Sequence, residues 1–164
     1  MAIKEILLLG NPKLYEVSET VQESELNDLA LVIKDLHDTM IDFRNKYGVG
    51  RAIAAPQIGI FKRLLYMYID EPVVFINPTL EFIDDEMMEI IDDCMSFPQL
   101  LVRVKRYKRC TIEYLDLQWE PRKIMLEGDL SELLQHEYDH LDGILATMRA
   151  IDNKSFYLRS EIFS

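Results

Sequence analysis

The stretch Gln135-His136-Glu137-Tyr138-Asp139-His140-Leu141-Asp142-Gly143 places two histidines four positions apart around a glutamate, in a run that reads as helix. At 3.6 residues per turn the two imidazoles lie one turn apart on one face and can grip a single metal ion. Glu137 is adjacent in sequence and can reach a water on that metal without being a ligand. Two imidazoles, a base and room for a third ligand are the minimal equipment of a hydrolytic metal site. The chain has 3 histidines in all, so using two of them at this spacing makes an accidental match on an amphipathic helix less credible.

Upstream, Asp129-Leu130-Ser131-Glu132 has the spacing of a capping box and is expected to open the metal-binding helix. Before it, the texture is a series of short β-rich runs separated by Asp, Pro or charged turns. These are Arg63–Ile69, Val73–Ile76, Leu80–Ile83, Met87–Ile91, Leu100–Lys105, Cys110–Leu115 and Lys123–Leu126. Earlier still, Leu26, Leu29, Ala30, Ile33, Leu36, Met40 and Phe43 form a 3.6-period stripe over residues 25–46, ended by Gly48, and predict one long amphipathic helix. His37 lies on it beside acidic residues and reads as a surface or packing histidine. Residues 1–10 read as a first strand. No crossover helices interleave the strands, so a doubly wound parallel sheet is not expected. The fold class is α+β: one domain over 1–164, with mostly antiparallel short strands around the His-Glu-x-x-His helix and one long N-terminal helix.

With 164 residues the chain is long enough to bury a real core, and 49% hydrophobic with 29% charged residues are globular values. No apolar run approaches the roughly 20 residues needed to span a bilayer. The N-terminal run contains Glu5 and lacks a small-residue cleavage site, so a cytoplasmic location is expected. A net charge of -11 argues against nucleic acid as a partner, which requires a basic face. The one basic cluster, Arg103-Val104-Lys105-Arg106-Tyr107-Lys108-Arg109, alternates with apolar residues and reads as a solvated strand face. The 2 cysteines are expected to be thiols, with Cys110 in the core.

A site built on two histidines needs a third protein ligand and one open position. Downstream of His140 the chain offers Asp142, Asp152 and Glu161 and no histidine; upstream it offers Cys94, in Asp92-Asp93-Cys94-Met95-Ser96-Phe97-Pro98.

Three stretches together resemble the peptide deformylase family, whose motifs run Gly-x-Gly-apolar-Ala-Ala-Pro-Gln, Glu-Gly-Cys-apolar-Ser and Gln-His-Glu-x-Asp-His-Leu. Gly50-Arg51-Ala52-Ile53-Ala54-Ala55-Pro56-Gln57-Ile58-Gly59 is similar to the first, Asp92-Asp93-Cys94-Met95-Ser96 to the second, and Gln135 to Leu141 matches the third completely. Gly10-Asn11-Pro12-Lys13-Leu14 and Ile76-Asn77-Pro78 are weaker echoes. The resemblance implies removal of the formyl group from N-formylmethionyl peptides, in the form of N-formylated nascent peptides met at the ribosome. It implies one divalent metal held by Cys94, His136 and His140, with water as fourth ligand. Ferrous iron is the family's usual ion; zinc, nickel and cobalt are alternatives, and zinc is favoured by intrinsic affinity. By the same resemblance Glu137 takes the water's proton and returns it to the departing amine, while the Gln57 side-chain amide and the Met95 backbone N–H stabilise the oxyanion. Each part answers a chemical need. A formamide is a poor electrophile, so the metal must supply hydroxide near neutral pH. A carboxylate must move the proton, and fixed donors must meet charge that develops only in the transition state.

Departures from the family pattern fall near the substrate. Gly50, Arg51, Ala52, Asp93, Glu132 and Leu133 are the candidate substrate-binding residues. Ala52 stands for the second glycine of the first motif and Arg51 for an apolar residue. An alternative alignment puts Gly48-Val49-Gly50 on that motif, with Arg51 and Ala52 as extra residues. Asp92 stands for the glutamate of the second motif and Asp93 for its glycine, and Arg51 is the expected partner for the added negative charge of Asp93 and Glu132. Asp139 is expected to fix a ligand histidine or the helix rather than bind metal. Two further readings accompany the leading one: a deformylase-like hydrolase of altered acyl or peptide specificity, and a non-catalytic protein that binds metal and N-termini. A general base in Glu137 has no use in a mere binder.

Overall fold

The computed structural model describes residues 2–162. A long helix, α1 (Leu26–Tyr47), is followed by seven strands: β1 (Ala52–Ala54), β2 (Leu64–Tyr68), β3 (Pro72–Phe82), β4 (Met87–Asp92), β5 (Leu100–Tyr107), β6 (Arg109–Leu115) and β7 (Pro121–Glu127). Helix α2 (Asp129–Leu141) carries the His-Glu-x-x-His run, and a short strand β8 (Phe156–Leu158) leads into a last turn of helix, α3 (Arg159–Ile162). Two sheets form, in the orders β1-β2-β3-β6-β7 and β4-β5-β8. Every strand pair is antiparallel, so the α+β expectation holds.

The larger sheet is covered on both faces. Leu64, Tyr66, Ile53 and Ile76 point towards Leu29, Leu36, Met40 and Phe43 of α1. The alternate positions Leu65, Ala54 and Phe75, with Cys110 and Ile112, meet Leu134 and Leu141 of α2. Because side chains alternate across a strand, burial on both sides needs a continuous apolar run, which is what Leu64-Leu65-Tyr66-Met67 provides. Fully buried side chains such as Leu36, Met40, Leu65 and Leu134 contribute about 1.5–3 kcal/mol each relative to exposure. Helix α1 ends at Gly48, whose φ of 73° provides the left-handed C-cap and lets its N–H reach the Arg44 carbonyl.

Several expectations change. Residues 2–10 form no strand; Leu7 N–H donates to Gln57 O at 2.8 Å and Leu9 N–H to Ser96 O at 2.8 Å, so this stretch straps the 3-10 turn at Ala55–Ile58 and the loop after β4 instead of joining a ladder. The runs at 73–76 and 80–83 are one strand, β3, with a register shift between Ile76 and Thr79. Asn77 (φ 50°) stands at that irregularity, and its side chain accepts from Val21 N–H at 2.8 Å and donates to Val21 O at 2.9 Å, tying the strand to the segment before α1. The capping box does not form: Gly128 is the N-cap, Asp129 is already helical, and Glu132 turns to Arg51. The basic cluster is not wholly solvated either. Arg106 is 2% exposed, on the same face of β5 as the fully buried Val102 and Val104. His37 packs edge-on between Tyr66 and Tyr68 and bonds the Tyr66 hydroxyl at 2.7 Å. Among the described residues no helix is long and apolar enough to cross a membrane.

Candidate metal centre and its cleft

Helix α2 is positioned by its buried face, which includes Leu134 and Leu141 as well as Gln135. The Gln135 amide accepts from Tyr107 N–H at 3.0 Å and donates to Tyr107 O at 2.7 Å, fastening the helix to the end of β5. That fixes the rotation of His136 and His140, whose rings meet edge-on at 5.1 Å between centroids. The loop after β4 brings in Cys94. Ligand atoms of Cys94, His136 and His140 all lie within 4.8 Å of one another, and the Cys94 Sγ to His140 Nε2 distance is 3.4 Å. Metal–ligand lengths of about 2.1–2.3 Å in a tetrahedron give ligand–ligand edges of about 3.6 Å, so the donor set suits one first-row cation. Cys94 is 7% exposed, His136 5% and His140 1%. Gly143, just past the helix, has a φ of 72° and lies so close to the chain that a Cβ there would sit 2.3 Å from Tyr15 O.

Asp92 Oδ2 is 2.8 Å from His136 Nδ1, which makes Nδ1 the protonated nitrogen and leaves the Nε2 lone pair free for a metal. The same carboxylate oxygen accepts from Arg106 Nη2 at 2.9 Å. Arg106 Nη1 donates to Asp139 at 2.7 Å, and Asp139 also accepts from Arg149 Nε at 2.6 Å and Nη2 at 2.9 Å. A chain of buried charge therefore runs Arg149–Asp139–Arg106–Asp92–His136. Asp139 binds two arginines rather than a histidine, and reaches His136 only through Arg106 and Asp92. Burial disfavours charge on His136, but Asp92 and the Cys94 sulfur outweigh it and hold the imidazole well above its usual pKa in the metal-free protein. Burial, reinforced by the charge of His136, pushes His140 well below.

The remaining site residues surround this cluster. Gln57, 1% exposed, accepts the Ala54 N–H at 3.0 Å through Oε1, which orients its amide nitrogen inward. That nitrogen donates to Ser96 Oγ at 3.2 Å and approaches Cys94 Sγ at 3.6 Å. The Met95 side chain packs over Gly50, where an added Cβ would lie 3.1 Å from Met95 Cε. Glu137 Oε1 is buried without a hydrogen-bond partner among the described residues. Burial, opposed by His136 and reinforced by Asp92, Asp93 and Glu132, pushes the Glu137 carboxyl up to about 8.

Gln57, Cys94, Met95, His136 and Glu137 line one open cleft of ≈ 460 Å³, together with Gly50, Arg51, Ala52, Asp93, Glu132 and Leu133. The structure thus gathers every candidate residue at one place, with His140 set deeper. Arg51 and Ala52 are not looped out. Ala52 pairs with Met67, and Tyr68 N–H donates to Arg51 O at 2.9 Å, so the strand ladder runs through both. Arg51 Nη2 donates to Glu132 Oε1 at 3.2 Å, as expected, but Asp93 is bound by Arg159 Nη2 at 3.2 Å. Sequence reasoning missed Arg106, Arg149 and Arg159. Only for Arg106 was there a signal: two-residue alternation from Val102 through Val104 puts it on the buried face.

An α+β scaffold holding a histidine pair, a cysteine sulfur and an unpartnered glutamate together has the form of a metal-dependent hydrolase. The polypeptide deformylase family model matches residues 3–156, and the chain belongs to that family. It is 34% identical to peptide deformylase 1 of Prochlorococcus marinus, over 99% of this chain and 88% of that one. The crystal structure of peptide deformylase from Thermotoga maritima superposes with a TM-score of 0.84 at 31% identity, covering 93% of this chain and 100% of that one. A Met-Ala-Ser bound class I type b peptide deformylase from Acinetobacter baumannii gives a TM-score of 0.82 at 30% identity, covering 90% of this chain and 98% of that one.

Proposed function

We propose that this chain is a single deformylase domain over 1–164 that hydrolyses the formyl group from N-formylmethionyl peptides, using one divalent cation held by Cys94, His136 and His140. Ferrous iron is the assigned ion, and zinc, nickel and cobalt suit the same nitrogen and sulfur donors. When bound, the cation supplies the Lewis acidity that makes hydroxide available near neutral pH. Glu137 takes the proton of the attacking water and delivers it to the amino group as the formyl carbon–nitrogen bond breaks. The inward N–H of Gln57 and the backbone N–H of Met95 meet the negative charge that develops on the formyl oxygen. Asp92 holds the His136 tautomer and is itself held by Arg106.

The observation that carries this reading is the unpartnered, buried Glu137 oxygen beside the three-ligand cluster in an open cleft. The relative solved with Met-Ala-Ser bound supports formylmethionyl peptides, since that tripeptide is the deformylated form of formyl-Met-Ala-Ser. The substrates proposed are formylated nascent peptides met at the ribosome, and a cytoplasmic location is part of the same proposal. Formate release from formyl-Met-Ala-Ser tests the assignment. Glu137→Gln is expected to keep its metal and lose about 10²–10⁴-fold in kcat. Near-normal turnover by that variant, or loss of its metal, contradicts the role given to Glu137.

A further inference from the structure

We propose that the Arg51–Glu132 ion pair makes the pocket beside the cation site receptive to an uncharged amide side chain, so that peptides beginning with formyl-glutamine are substrates on a par with formyl-methionine ones. This rests on the deformylase reading and names the substrate class of the same site.

Glu132 stands one turn before His136 on α2, so its side chain falls on the face that carries the metal-ligating imidazole. A peptide whose formyl carbon lies at the Cys94–His136–His140 cluster has its first side chain within a few ångströms of it. Arg51, Ala52, Glu132 and Leu133 line the same cleft as that cluster, and the first side chain is proposed to sit against them. Arg51 Nη2 lies 3.2 Å from Glu132 Oε1, and Arg51 Nη1 lies 3.8 Å from Asp129 Oδ2. Asp129 is 90% exposed and adds little, whereas the Glu132 side chain is only 13% exposed and Arg51 41%. The pair is therefore partly shielded already, and a side chain entering the pocket removes most of its remaining water.

A thioether leaves those charged groups without the hydrogen bonds that water had supplied. A primary amide of the same length replaces them: its carbonyl oxygen accepts from the Arg51 guanidinium and its NH₂ donates to the Glu132 carboxylate. A lysine-type side chain finds Glu132 but faces Arg51, and a carboxylate meets the reverse. The neutral amide complements both partners. A second ion pair in the cleft, Asp93 with Arg159 at 3.2 Å, lies on the β4 side with Asp93 45% exposed, so it does not set the polarity of this pocket.

The test is kcat/KM at about pH 8, where Glu132, raised to about 7, is ionised, for formyl-Met-Ala-Ser and formyl-Gln-Ala-Ser, with the metal-loaded wild type and the Arg51→Leu/Glu132→Leu double variant. Replacing such a pair by apolar residues is commonly neutral for folding, and Glu132→Gln is a milder second variant. The wild type is expected to turn over the two peptides within about threefold of each other. One hydrogen bond to a charged group corresponds to a factor of about 10–100. The double variant is expected to shift towards methionine by that factor, and Glu132→Gln by a smaller factor in the same direction. A methionine preference above a hundredfold in the wild type, unchanged in both variants, overturns the proposal while leaving the deformylase assignment standing. Absence of formate from both peptides with every protein overturns the deformylase assignment, and this proposal with it.

Discussion

Arg106→Met removes one guanidinium from the middle of a buried charge chain. Arg106 is 2% exposed and holds Asp92, 5% exposed, at 2.9 Å and the Asp139 side chain, 9% exposed, at 2.7 Å. Burial disfavours charge on this arginine, yet its two carboxylates more than compensate and raise its pKa. Methionine fills much of the volume, so the cost is electrostatic. Asp139 keeps Arg149 and Asp92 keeps His136. The loss is that of breaking one buried pair, about 3–5 kcal/mol, against a total stability of about 5–15 kcal/mol. Urea unfolding of the metal-free protein reads it. With an m value of about 2 kcal/mol/M the midpoint falls by about 1.5–2.5 M. Metal affinity is expected to fall about 10–100-fold as well, because Asp92 loses the group that aims it at His136. Arg106→Lys, which keeps the charge but cannot fork between two carboxylates, falls between the wild type and methionine in both measurements. A midpoint unchanged within about 0.3 M and unaltered metal affinity in Arg106→Met would refute the reasoning.

Two further expectations concern pH and backbone. Burial, and secondarily Asp92, raise the Glu132 carboxyl to about 7 from 4.5, against the opposing effect of Arg51, so the folded state holds this proton to higher pH than the unfolded state does. The stability of the metal-free wild type is therefore expected to decline relative to Glu132→Gln as pH rises from about 4.5 to 7, by at most about 1.4 kcal/mol per unit, and to level off above. A difference between the two proteins that stays flat across that window counts against it. Gly143→Ala is expected to destabilise by about 2 kcal/mol or more in denaturant unfolding, since its Cβ meets Tyr15 O at 2.3 Å in a left-handed backbone; a neutral effect means the contact yields without cost.

How legible the site was follows from how local each signal is. His136 and His140 are fixed by helix periodicity within five residues, and Cys94 stands in a five-residue run, Asp92 to Ser96, whose resemblance to a family motif is equally local. The long helix to Gly48 was equally plain, because its stripe and its cap are both local. What sequence could not give is pairing between distant segments. Arg149 and Arg106 converge on Asp139 from different elements, and Arg159 reaches Asp93 from the C-terminal turn. Arg106 was hidden in a basic cluster that looked solvated, although its strand alternation placed it with Val102 and Val104. The N-terminal run had strand-like composition, but its N–H groups donate to the Asp35 and Thr39 side chains of α1 and to the Gln57 and Ser96 carbonyls in a 3-10 turn and a loop, so no ladder forms. Pro78 suggested a break between two strands, whereas a single strand continues past it with a register shift between Ile76 and Thr79.

Metal dependence is the point on which the rest turns. Wild-type protein stripped by chelator and reloaded anaerobically with ferrous iron is to be compared with Cys94→Ser, reading bound iron per chain and formate released from formyl-Met-Ala-Ser in the same samples. The wild type is expected to lose activity on stripping and regain it in proportion to iron, saturating at about one equivalent per chain. Cys94→Ser is expected to bind iron at least about tenfold more weakly and to release little formate. Full activity in the stripped protein, or stoichiometric iron binding with normal turnover in Cys94→Ser, would contradict a catalytic cation held by Cys94, His136 and His140.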